Sequence, residues 1–91
     1  MGTKVRVRLF HELRSNMGKS ELELQANTLA ELLDSLIEKQ RSLSDLIFDA
    51  DRNIRHHILI YVNNEVQNPP DLSRKLNDGD LVLLIPPAAG G

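Results

Sequence analysis

Residues 28–39 read TLAELLDSLIEK, with apolar positions Leu29, Leu32, Leu33, Leu36 and Ile37 recurring at i, i+3, i+4, i+7 and i+8. That spacing predicts one apolar face of a helix, with Glu31, Asp34, Ser35 and Glu38 opposite it. Thr28 followed by Glu31 has the spacing of a capping box, which marks the helix start. A single amphipathic helix must bury its stripe against another layer, and the flanking stretches supply one.

On the N-terminal side, KVRVRLF (4–10) alternates, placing Val5, Val7 and Leu9 on one side and Lys4, Arg6 and Arg8 on the other. This predicts a strand with one wet face. After a polar stretch containing Ser15, Asn16 and Gly18, alternation resumes at Glu21, Leu22, Glu23, Leu24 and Gln25, so the two strands are expected to form a hairpin. On the C-terminal side, Ser42 to Phe48 reads as a shorter helical turn, because Ser42 and Asp45 repeat the capping spacing. Asp49 to His57 reads as a surface loop.

Ile58 to Val62 is an apolar run, Asn63-Asn64 a tight turn whose residues tolerate positive φ, and Glu65 to Gln67 a short return strand that Pro69 and Pro70 stop. Asp71 to Leu76 is expected to make one helical turn, and Asn77-Asp78-Gly79-Asp80 to lead into a last strand, Leu81 to Ile85. The order is ββαββ with short extra helical turns. The economical architecture is α+β, two layers, one mixed sheet packed on one main helix.

Composition fits one small core. The chain has 91 residues, of which 16 Leu, 6 Ile and 5 Val are the branched aliphatics, and a formal net charge of −2. With no Cys, side-chain thiol chemistry, thiolate metal sites and disulfides are excluded. A near-neutral charge balance and only Phe10, Phe48 and Tyr61 as aromatics argue against a nucleic-acid partner. The apolar runs are far shorter than the roughly 20 residues that span a bilayer, so a soluble, cytoplasmic protein is expected, with no membrane partner.

Motifs for self-contained catalysis fail. Gly18-Lys19-Ser20 imitates the end of a phosphate loop, but residue 13, where its first glycine belongs, is Leu13. His56 and His57 are adjacent, a poor spacing for chelation, and His11 is distant, so no metal site is expected. The row Lys4, Arg6 and Arg8, with Arg14 nearby, reads as a solvated strand face, with an acidic partner's docking strip as the alternative.

The two late strands are apolar at every position, although a sheet covered on one face needs only alternate apolar residues. Leu59, Tyr61, Val82 and Leu84 are set against Ile58, Ile60, Leu81, Leu83 and Ile85, and whichever parity packs under the helix, part of the other remains as an apolar patch. The first four are the candidate partner interface. The alternative is that the 49–57 loop folds over that face.

The chain closes on Pro86-Pro87-Ala88-Ala89-Gly90-Gly91. Paired prolines favour a stiff extended exit, Ala and Gly keep the last four residues slender, and six extended residues reach about 20 Å. The expected division is a domain over 1–85 and an extended, flexible tail over 86–91.

Taken with VRVRLFHELR, TLAELLDSLIEK, LSDLIFD, YVNNE and LNDGDLVLLIPP, this tail resembles the MoaD/ThiS group of ubiquitin-like sulfur carriers, and within it the small subunits of molybdopterin synthases. The resemblance runs essentially end to end. It departs at Asn64, where the group commonly has glycine; asparagine tolerates the left-handed geometry.

The resemblance implies a ubiquitin-like β-grasp fold with the first and last strands parallel at the centre of the sheet. It also implies that a partner similar to ubiquitin-activating enzymes adenylates the Gly91 carboxylate with ATP. A sulfur donor then converts it to a thiocarboxylate, and the large synthase subunit receives the tail and uses that sulfur to build molybdopterin. Gly91 is then the reacting group, Gly90 keeps the tail slim, and Pro86, Pro87, Ala88 and Ala89 provide reach; the chain binds no cofactor of its own and is not catalytic alone. The alternative use of the same activated Gly91 is as a protein modifier joined to lysines of target proteins. A thiazole-forming carrier is a third option, disfavoured by the 43–57 insert and the paired prolines.

Overall fold

The architecture begins with strand β1 (Lys4–Leu9), which buries Val5, Val7 and Leu9 and exposes Lys4, Arg6 and Arg8, as its alternation predicts. The computed structural model describes residues 3–87. Helix α1 (His11–Met17) and strand β2 (Glu21–Gln25) follow, then helices α2 (Leu29–Lys39) and α3 (Leu43–Ile47) and strands β3 (Leu59–Val62), β4 (Glu65–Val66) and β5 (Leu81–Ile85).

One five-stranded sheet has the order β2-β1-β5-β3-β4. The β1 and β2 strands pair antiparallel, as a hairpin requires, while β1 and β5 run parallel at the centre, Val7 beside Val82. That is the β-grasp arrangement. Leu29, Leu32, Leu33 and Leu36 of α2 are fully buried in the same core as Val5, Val7, Ile60, Val82 and Leu84. The capping box is present: the Glu31 amide donates to Thr28 Oγ1 at 3.2 Å, and Glu31 Oε1 accepts from the Asn27 amide at 2.9 Å.

Three expectations are corrected. The polar stretch after β1 is helix α1, held by buried Leu13 and closed by Gly18 at φ 81°, whose amide donates to the Arg14 carbonyl. Ser42 does not cap α3 with its side chain; its hydroxyl donates to Asn16 Oδ1 and ties α3 to the end of α1. Asp71 to Leu76 is a turn rather than a helix, because Asp71 Oδ1 accepts from both the amide and hydroxyl of Ser73. Its carbonyls serve α2 instead: those of Arg74 and Leu72 accept from the Leu29 and Ala30 amides, two donors a helix start otherwise leaves unpaired.

The two asparagines behave as expected, Asn63 at φ 51° and Asn64 at φ 73°, both left-handed in the tight β3–β4 turn. The 77–80 turn joins three strands. Asp78 Oδ1 accepts from the Lys4 amide at the start of β1, Gly79 takes φ 87° and donates to the Lys4 carbonyl, and buried Asp80 faces the β3–β4 turn. Among the described residues, no helix is long and apolar enough to cross a membrane.

Candidate functional site: the open sheet face and the tail root

Because α2 covers one face of the sheet, every second residue of each strand points away from the core. Register sets which ones. Leu59 lies beside Ile85 and Tyr61 beside Leu83, so the outward set is Leu59, Tyr61, Leu81, Leu83 and Ile85, with Val66 beside Tyr61. Of the four residues expected at a partner surface, Leu59 is 44% exposed and Tyr61 half-buried, both on this face. Val82 and Leu84, however, are 0% and 1% exposed and belong to the core. The correction has a physical reason: Val82 is registered with Val7 and Val62, so it shares their inward parity.

The outer face is graded across its width. One row reads Val66, Tyr61, Leu83, Arg8, Glu21, following the pairings strand by strand. Leu81, Arg6 and Glu23 make a parallel row beside it. Apolar side chains on β4, β3 and β5 thus give way to cations on β1 and carboxylates on β2. Arg8 and Arg6 approach Glu21 at 2.9 and 3.6 Å, so the basic row is partly neutralised from the β2 side. These are exposed pairs worth at most about 1 kcal/mol each. The 49–57 loop is bound to α3: the Arg55 amide donates to the Ile47 carbonyl and its Nε to the Asp45 carbonyl, both 2.9 Å.

Strand β5 leads from this face to the tail. Pro86, expected to contribute reach, is buried, and Pro87 is exposed, so the chain leaves the packed body between them. Around that exit is a cleft of ≈ 290 Å³, with Leu13 and Leu46 beside the two prolines and Glu12, Asp45, Arg55 and His57 about them. Ala88, Ala89, Gly90 and Gly91 lie outside the described residues. Among the described residues, His, Asp and Glu form no cluster of three or more suited to a metal.

A single α2 clasped by a mixed sheet with parallel central strands makes this a ubiquitin-like β-grasp protein. The chain belongs to the ThiS family, whose description matches residues 7–91, the tail included.

Solved structures agree on the fold and differ in their roles. Small archaeal modifier protein 1 from Methanosarcina acetivorans matches with TM-score 0.86 and 28% identity, over 100% of this chain and 99% of that one. A chain of the Amycolatopsis orientalis BexX/CysO complex matches at 0.81 and 25%, over 96% and 99%. A chain of the complex of subunits 1 and 2 of molybdopterin-converting factor from Helicobacter pylori matches at 0.64 and 25%, over 98% and 100%. Comparison with curated proteins finds no match.

Proposed function

We propose that the protein is a sulfur carrier for molybdopterin synthesis, acting as the small subunit of a two-component synthase. The observation that carries this reading is that the ThiS family match continues through Gly90 and Gly91, directly beyond the point where β5 ends and Pro87 leaves the core. A free carboxylate resists nucleophilic attack, so a partner adenylyltransferase first joins Gly91 to the α-phosphate of ATP and releases pyrophosphate. A sulfur donor then displaces AMP and leaves a thiocarboxylate, a nucleophile that needs no cysteine. The open sheet face is the surface by which the adenylyltransferase and the large synthase subunit hold the carrier, with Leu59, Tyr61 and Leu83 at its centre. The solved complex of molybdopterin-converting factor subunits supports this pairing.

A second reading has its own support. The modifier protein from Methanosarcina superposes at 0.86, against 0.64 for the molybdopterin-converting chain, at similar coverage. In that use a lysine amine displaces AMP and an isopeptide bond forms. Intact-mass and tryptic mass spectrometry on protein from the native cell separates them. A Gly91 ending with sulfur in place of oxygen supports the carrier; Gly-Gly remnants on lysines of other proteins support the modifier. Finding neither overturns both.

A further inference from the structure

Bordering the sheet face and the tail root, two adjoining hollows share Ile54, Pro69 and Pro70 as walls. One, of ≈ 220 Å³, also takes in Ile58, the exposed Leu59 and His56; the other, of ≈ 240 Å³, is completed by Leu72, Asn53 and Arg52. They are built by two loops that meet. The Phe48–Ile54 bridge draws the 49–57 loop back on itself, and the 67–70 segment leaves β4 with the Gln67 amide bonded to the Ile60 carbonyl at 2.8 Å. Arg52 is fixed at one end, its guanidinium 5.0 Å from the centre of the Phe48 ring.

The charge on these walls is one-sided. Arg52, Arg55 and His56 line the hollows, and no carboxylate does. Three carboxylates neighbour the lining residues in sequence without lining the hollows: Asp51 precedes Arg52, Asp49 turns its Oδ1 onto the Asp51 and Asn53 amides within its own loop, and Asp71, between Pro70 and Leu72, turns its Oδ1 onto the amide and hydroxyl of Ser73. Leu59 joins the first hollow to the apolar sheet face, and Arg55 also lines the cleft at the tail root, so the hollows continue both surfaces.

We propose that these hollows hold an extended, acidic segment of a partner protein, with two apolar side chains seated on either side of the Ile54–Pro69–Pro70 wall and carboxylates facing Arg52 and His56. An extended chain sends alternate side chains to one side about 7 Å apart, so that two successive ones can enter adjoining hollows that share a wall. The surface is independent of whether sulfur or an amine attacks Gly91. It gives the protein a contact that partners reading only the sheet face and tail do not use.

The test is a titration of the isotopically labelled full chain with two synthetic decapeptides, one alternating Glu with Leu and Val, the other with Lys in place of each Glu. The expected result is amide shifts confined to residues 52–59 and 67–72, an affinity that falls as salt is raised, and binding of the lysine peptide weaker by about fivefold or more. Arg52→Glu is expected to weaken the acidic peptide about three- to tenfold while leaving the spectrum dispersed, and Lys39→Glu on α2 to leave it unchanged. Equal binding of both peptides, no binding at about 1 mM, or shifts centred on β2 or the sheet face overturns the proposal. So does an unaltered affinity in Arg52→Glu, or a dimer in light scattering whose interface maps to these hollows.

Discussion

Asn63 and Asp80 hold the β3–β4 turn against the start of β5: Asn63 Nδ2 donates to Asp80 Oδ1 at 2.8 Å, while Asn63 Oδ1 accepts from the Leu81 amide at 3.0 Å. Asp80 Oδ2 takes the Asn77 amide at 2.8 Å, so both oxygens of this carboxylate, 8% exposed, have partners. Removing one side of such a buried pair strands the other. Asp80→Ala is expected to lose about 2–3 kcal/mol in urea unfolding, and Asn63→Ala about 1–2 kcal/mol, because the left-handed backbone at Asn63 adds strain to the lost bonds. Losses under about 0.5 kcal/mol for both would show that the lock does not stabilise the fold.

Asn64 has φ 73° but does not share that lock. Asn64→Gly, the residue the family commonly has there, should keep the turn and shift stability upward by no more than about 1 kcal/mol. Asn64→Val should lose at least about 1 kcal/mol, because a β-branched side chain resists left-handed geometry. Thermal unfolding of the two variants beside the parent measures both signs.

Removal of the Thr28 hydroxyl tests the capping box. Thr28→Ala leaves the Glu31 amide without its side-chain acceptor, and about 1 kcal/mol should be lost by denaturant unfolding. Restoration by Thr28→Ser would show that the hydroxyl, not the methyl, is responsible.

The Asp71 carboxyl is held below its ordinary value, first by the Ser73 hydroxyl and then by the Ser73 amide; slight desolvation opposes them, and a still smaller attraction to Arg74 adds to them. A depressed folded-state pKa means that its stabilising contribution is present above the unfolded-state value and is lost as pH falls through the folded one. Ser73→Ala should move the Asp71 titration upward, followed by carboxyl-carbon NMR. An unmoved midpoint would discount the hydroxyl.

Parity on β5 separates docking from folding. Leu83→Asp places a charge on the open face and should leave cooperative unfolding intact while weakening assembly with the proposed adenylyltransferase partner by about tenfold or more. Leu84→Asp places it in the core, where an unpaired charge costs several kcal/mol of a total near 5–15, so that variant should not fold. Unchanged assembly by folded Leu83→Asp would remove the open face from the interface.

How much was legible in the sequence follows from where a period exists. In β1 and β2 one face is charged, so alternation assigns each residue; in α2 the stripe and cap do the same. In β5 every residue is apolar, so no period survives, and only pairing with Val7 and Val62 reveals that Val82 faces inward. Helix α1 hid in polar composition, since Leu13 and Met17 are its only apolar residues and the signal reduces to their four-residue spacing before Gly18. The tail was legible as a motif through its resemblance, whereas the exit between Pro86 and Pro87 depends on tertiary packing. The Ile54–Pro69–Pro70 hollows left no sequence signal, because two loops distant in the chain create them.

The row from Val66 to Glu21 changes character in one direction only, from oil through cation to anion. A surface complementary to it therefore seats in a single rotation; turned by half a circle, it would set carboxylates against leucine and leave the arginines facing hydrocarbon. Since β5 lies in the middle of that row and also runs into Pro86, rotation on the face and compass bearing of the chain leaving it are one quantity.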